Sequence, residues 1–136
     1  MTRPFATFYV DGLLLGVELR KVQEVIRPQQ MTRVPLAPAI VAGLINLRGQ
    51  IVTVIDLRRR LELADRATGL LPIHVVLRRE DEAVSLLVDD IGDVIDVEDG
   101  AFESPPETLR GIARELTRGV YKLKERLLLV LETDNL

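Results

Sequence analysis

The hydrophobic residues of this chain fall in short runs separated by turn residues. The densest pair lies between Ala42 and Leu57, where Leu44-Ile45-Asn46-Leu47 and Ile51-Val52-Thr53-Val54-Ile55 flank Arg48-Gly49-Gln50. β-Branched residues dominate the second run, which suits a pleated surface better than a helix. Both of its faces are apolar, so the pattern predicts a strand covered on both sides. Gly49 takes a positive φ at low steric cost. The stretch therefore reads as a hairpin with three central residues and Arg48 at its tip.

Similar runs recur along the chain. Phe5 to Val10 and Leu13 to Val17 read as strands around the turn pair Asp11-Gly12. From Glu18 to Val25 the period changes: Leu19, Val22 and Ile26 fall at helical spacing, which predicts one or two helical turns leading into a strand and stopped by Pro28. Met31 to Val34 reads as a short strand, and Pro38 to Ala42 as a short helix with Gly43 past its end. Ala64 to Gly69 reads as a linker. Ile73 to Leu77 and Ala83 to Val88 read as strands around a charged turn, and Asp89 to Ile95 follows. Ser104-Pro105-Pro106 marks a loop, and Glu107 to Leu116 holds room for a helical turn that Gly111 weakens. Gly119 to Leu123 and Leu127 to Leu131 form a closing hairpin around Lys124-Glu125-Arg126.

The chain also echoes itself. A shift of 69 positions sets Gly16 on Ser85, Val17 on Leu86 and Leu19 on Val88. The same shift sets Val22 on Ile91, Glu24 on Asp93, Val25 on Val94 and Ile26 on Ile95. Two readings are open: the common look of alternating strands, or two similar β lobes spanning about residues 5–63 and 73–131 of a single domain 1–136.

Composition narrows the picture. Apolar residues make up 47% of the 136 residues but aromatics only 4%, so the core is expected to be aliphatic. A formal net charge of −3 and the scarcity of aromatics argue against a small β barrel that binds nucleic acid. The one basic run, Arg58-Arg59-Arg60, reads as a solvated turn after a strand. There is no Cys, which fits a reducing compartment and removes thiolate metal sites. Met1-Thr-Arg-Pro-Phe is not followed by an apolar signal region, so a cytoplasmic protein is expected.

Catalytic chemistry finds little footing. His74 is the only His and stands in an apolar strand without a nucleophile motif, and no phosphate-binding or nucleophile-elbow pattern is present. Eleven of the 21 acids lie between Glu80 and Glu107, with no Lys or Arg among them. Asp89, Asp90, Asp93 and Asp96 lack the ligand spacing of a calcium loop, so this stretch reads as a solvated acidic face, with no metal and no cofactor expected. What remains is a protein-binding module. An Arg at the tip of an aliphatic hairpin has the makeup of an interface anchor, and a solvated turn residue is the competing reading.

The organising stretch, Gly43-Leu44-Ile45-Asn46-Leu47-Arg48-Gly49-Gln50-Ile51-Val52-Thr53-Val54-Ile55-Asp56-Leu57, resembles the signature of the CheW-type coupling proteins of bacterial chemotaxis. Lys21 to Val25 and Val88 to Val94 agree with it, and the likeness runs from about Phe5 to Leu131. The region from Phe102 to Thr117 matches poorly, and Ala42 stands where many relatives carry a basic residue. The resemblance implies a mainly β fold of two small five-stranded barrels on a shared aliphatic core, with few short helices. It also implies a non-enzymatic adaptor at receptor arrays, which couples chemoreceptors (the methyl-accepting chemotaxis proteins) to the histidine kinase CheA. Kinase docking would fall to Val22, Glu24 and Arg48, and receptor contacts to Ile73, Ser85 and Val94. Family variants also serve pilus-motility and second-messenger pathways.

Overall fold

The computed structural model describes all 136 residues, Met1–Leu136. β1 (Thr2–Val10) and β2 (Leu13–Glu18) form the first hairpin, and a 3-10 turn at Leu19–Lys21 leads into β3 (Val22–Ile26). β4 (Val41–Leu47) and β5 (Gln50–Asp56) form the second hairpin, followed by a single helical turn, α1 (Leu57–Arg60). β6 (Ile73–Arg79) pairs with β7 (Glu82–Val88), and β8 (Asp90–Glu98) follows. After α2 (Gly111–Glu115), β9 (Thr117–Lys122) and β10 (Leu127–Leu131) close the fold. No helix is long and apolar enough to cross a membrane.

The ten strands make two five-stranded sheets, in the orders β8-β1-β2-β10-β9 and β3-β6-β7-β5-β4. Shifting every strand number by five turns one order into the other. The echo is therefore a structural repeat, of β1–β5 and β6–β10. The halves do not fold as separate lobes, however, and the extents 5–63 and 73–131 are corrected. Each sheet takes two strands from one half and three from the other. The reason lies in the edges. β10 takes the free edge of β2 in parallel, and β5 takes that of β7, so β3 and β8 cross over to pair with β6 and β1.

Both sheets curl toward closure without completing a ladder. In the second sheet, Thr32, just beyond β3, exchanges backbone hydrogen bonds of 2.9 and 2.8 Å with Leu44 on β4. In the first sheet, Glu103, beyond β8, does the same with Val120 on β9. Gly43 and Gly119 make these seams possible. A Cβ on Gly43 would lie 2.7 Å from the Thr32 carbonyl oxygen, and one on Gly119 would lie 2.6 Å from that of Glu103.

Alternation along the strands sorts the core into three layers. Phe8, Leu15, Val75, Leu86 and Leu129 belong to a cluster of 16 buried residues shared by both sheets. Val52, Val54 and Leu87 fill the second sheet, while Phe5, Leu128 and Val130 fill the first. The shared core is largely aliphatic, as its composition requires.

Three local expectations change. The organising hairpin pairs Leu47 with Gln50, so its loop has two residues and not three. Pro38 to Ala42 is not a helix, because Val41 already pairs with Ile55 and leaves only a turn closed by a 2.9 Å bond from the Val41 N–H to the Pro38 carbonyl. Of the strand expected over Met31 to Val34, only the Thr32 bridge forms. β5 is covered on both faces at Val54 to Asp56, but Ile51 and Thr53 near the tip face solvent.

Candidate functional site

The signature residues of the hairpin each have a physical task. Gly43 admits the Thr32 backbone. Arg48 and Gly49 occupy the two central turn positions with φ of +50° and +90°, the left-handed pair that matches strand twist. A non-glycine residue there is strained, and such strain concentrates at functional positions. Asn46 braces the turn by accepting the Gly49 N–H at Oδ1, 2.8 Å away. Asp56 caps α1 by accepting the Arg58 N–H at 3.0 Å, and Leu57 is buried beneath it.

Arg48 reaches across the seam of the second sheet. β3 and β4 are its two edges. Curling brings Glu24 on β3 to the tip of the β4–β5 hairpin, where its carboxylate takes both Nη atoms of Arg48. The Arg48 side chain stays 71% exposed and that of Glu24 22%. The Arg48 hydrogen bond is the main reason that the Glu24 carboxyl is held below its ordinary range. On the same hairpin, opposite Asn46, Ile51 is 60% exposed. The end of the hairpin thus carries both a held guanidinium with free donors and an uncovered aliphatic side chain.

Val22 points elsewhere. It packs against the shared core and lines a groove between the sheets, whose ten lining residues include eight hydrophobic ones. Leu19, Val22 and Val25 form one wall with Val75, while Ala6, Ile91 and Val94 form the other. The shift of 69 that defines the echo pairs Ala6 with Val75, Val22 with Ile91, and Val25 with Val94. The groove therefore lies on the pseudo-two-fold axis, with β3 and β8 as equivalent walls. Val94 is 57% exposed and Val25 47%.

The other two expected receptor positions do not open on the groove. Ile73 is half-buried against the shared core, and Ser85 is fully buried with its Oγ 2.9 Å from His74 Nδ1. Ser85 cannot touch a partner directly. Leu19, Val25 and Ile91 were missed as groove residues, although the echo already matched Val25 with Val94 and Val22 with Ile91.

An ion cluster anchors each place where the chain crosses between sheets. At the first, buried Glu18 accepts from Arg3 Nη1 at 3.0 Å and from Arg20 Nε at 2.5 Å. Burial alone would raise its pKa, but these two partners turn the shift downward. At the second, Asp89 accepts from Arg58 Nη2 at 2.6 Å, Arg66 Nε at 2.9 Å and the Asp11 N–H at 2.7 Å. Burial again opposes the charge, yet the hydrogen bonds prevail and hold this carboxyl at about 2. No group of His and acidic side chains is placed to hold a metal.

Comparisons with known proteins agree with this geometry. A family model described as the CheW-like domain matches residues 4–136. The chemotaxis protein CheW of Treponema pallidum is 32% identical over 134 residues, covering 96% of this chain and 79% of that protein. That of Bacillus subtilis is 31% identical over 127 residues, covering 93% and 81%. The crystal structure of the scaffolding protein TtCheW from Thermoanaerobacter tengcongensis superposes with a TM-score of 0.88 at 26% identity, covering 97% of this chain and 90% of that one.

Proposed function

Because the chain belongs to the CheW-like family of chemotaxis coupling adaptors, which are scaffolds and not enzymes, we propose that it joins the histidine kinase CheA to the cytoplasmic tip of a chemoreceptor. Two separate surfaces support a bridging role. The hairpin tip serves the kinase, and the observation that carries this reading is Arg48, strained at a two-residue turn yet left largely exposed over Glu24. Side chains of this kind, rigidly held and adjoining apolar surface, make interface hot spots. The inter-sheet groove serves the receptor. Its apolar walls suit the aliphatic face of a helical hairpin, with packing and not main-chain bonds giving the affinity.

The kinase surface consists of Arg48, Glu24 and Ile51, and the receptor surface of Val94, Val25, Ile91 and Val22. Ile73 and Ser85 act at most by supporting the groove from below. Calorimetry with the regulatory domain of a cognate CheA, and separately with a receptor-tip fragment, tests this assignment. Arg48→Ala is expected to lower kinase affinity alone, and Val94→Asp receptor affinity alone. Loss of both affinities from either substitution would remove the two-surface reading.

A further inference from the structure

The largest cavity lies at the base of the β4–β5 hairpin, at the opposite end from Arg48. It has a volume of about 510 Å³, within the range that holds small ligands. Met31, Val34, Pro38 and Leu87 contribute apolar wall, while Arg33, Arg59, Arg66 and Asp56 contribute the polar groups.

The guanidiniums are largely fixed before any ligand arrives. Arg59 donates from Nη1 to the Ala39 carbonyl at 3.1 Å and from Nε to Asp65 at 3.3 Å. The Arg66 side chain is only 9% exposed and is tied through Nε to Asp89. Its Nη2 is buried without a hydrogen-bond partner, and Asp56 Oδ1 stands 3.8 Å away. Arg33 is exposed at the rim and makes no ion pair. Of the three guanidiniums that line the cavity, Arg59 pairs with Asp65 and Arg66 with Asp89, so Arg33 alone has no carboxylate partner.

We propose that this cavity binds a small organic monocarboxylate, its apolar body against the Met31–Pro38 wall and its carboxylate on Arg33 and Arg59 above Arg66. The one unpaired guanidinium of the lining, Arg33, favours a monoanion, because the Asp56 carboxylate in the same wall repels the second charge of a phosphate dianion. The apolar wall selects a ligand with a hydrocarbon body over a bare ion. A guanidinium suits a carboxylate by its planar fork of donors.

The test is an amide NMR titration of the full chain with sodium benzoate, with sodium chloride holding ionic strength constant. Benzyl alcohol and inorganic phosphate are the comparison probes. Benzoate is expected to give saturable shifts confined to residues 31–42, Asp56 and Arg66. Benzyl alcohol and phosphate should bind about tenfold more weakly, the loss expected for a missing charge-assisted contact. Arg33→Gln should leave the melting temperature unchanged, since the side chain is exposed and unpaired, and weaken benzoate about tenfold. Shifts that rise linearly with benzoate would mean that no site exists. Benzyl alcohol matching benzoate would reduce the cavity to an apolar cleft, and phosphate binding more tightly would overturn the choice of monoanion. Benzoate affinity unchanged in a folded Arg33→Gln would overturn the carboxylate seat. None of these outcomes depends on kinase or receptor binding.

Discussion

Arg48→Ala separates the proposed docking role of the hairpin tip from its part in the fold. For stability, the side chain is 71% exposed and its pairing with Glu24 is open to water, where ion pairs contribute little net. The positive φ of +50° strains an alanine about as much as an arginine, so the backbone gains nothing from the change. The melting temperature should therefore move by no more than about 2 °C. Locally, the effect is larger. Glu24 loses the hydrogen bond that lowers its pKa most, so its carboxyl should titrate back at the ordinary range. The sign follows from linkage. A depressed carboxylate adds stability above its unfolded pKa and loses it as pH falls through the folded value, so the variant should show a shallower acid limb than the parent. For binding, truncation of a hot-spot arginine typically weakens affinity at least about tenfold. Arg48→Lys should recover only part of this, because an ammonium cannot present two donors in one plane. Calorimetry against the CheA regulatory domain, melting curves and a carbon-detected titration of Glu24 read the three effects independently. Wild-type affinity in the variant would place kinase docking elsewhere, and loss of cooperative melting would make Arg48 a structural residue of the seam.

Asn46→Ala should also weaken kinase binding by about tenfold or less without changing the melting temperature, because the Gly49 N–H loses the acceptor that holds the turn. Asn46→Asp should restore most of the affinity, and calorimetry on both variants decides it. Val94→Asp and Val25→Asp occupy equivalent walls of the groove, so each should weaken a receptor-tip fragment by at least about tenfold in a pull-down titration while kinase affinity holds. His74 is buried with Nε2 unpartnered, and burial pushes its pKa below 6.5. Its neutral form is the folded form, so stability should be full above about pH 6.5 and fall as pH drops toward 5, ahead of the carboxylates. Thermal melts across that window would show the slope, and His74→Gln should flatten it.

Most strands were legible in the chain because their apolar runs are bounded by turn chemistry. Asp11-Gly12 marks a two-residue turn that the structure places between Val10 and Leu13. The closing hairpin falls where Leu127 to Leu131 is flanked by charge. Hidden features were those that depend on partners distant in sequence. Gly43 looked like a helix stop after Pro38, but it is needed because the Thr32 backbone passes beside it, which no local pattern encodes. The echo revealed the repeat but not the strand exchange, since a hydrophobic pattern says which face is buried and not which edge is paired. At the site, Glu24 and Arg48 emerged from the family likeness, and their direct contact needed the curl of the sheet. The family likeness offers Ser85 as a receptor contact, yet its hydroxyl is spent on His74 in the core. Val25 and Ile91 were hidden by ordinary strand alternation. The signal that finds them is the symmetry of the echo, read as geometry.

The strand exchange also bears on how the groove can bind. The chain passes from the first sheet to the second at Leu19–Lys21 and back again between Val88 and Asp90. Both crossings border the groove: Leu19 lines it, and Asp89 leads directly into β8, which carries Ile91 and Val94. Both are pinned by carboxylates whose partners keep them charged, Glu18 at one and Asp89 at the other. Two lobes joined by one linker could hinge open, but two sheets that trade strands on either side of a cleft cannot separate without breaking the β3–β6 or β1–β8 ladder. The groove is therefore preformed, and a helix docking in it orders little of the adaptor, which leaves more of the packing free energy for affinity. The pseudo-two-fold axis gives the cleft two similar walls running in related directions. A hairpin of two antiparallel helices carries a two-fold of its own, so each helix can meet an equivalent wall, and the charge difference between the walls, four acids along β8 against Glu24 alone on β3, remains to set which helix lies on which side.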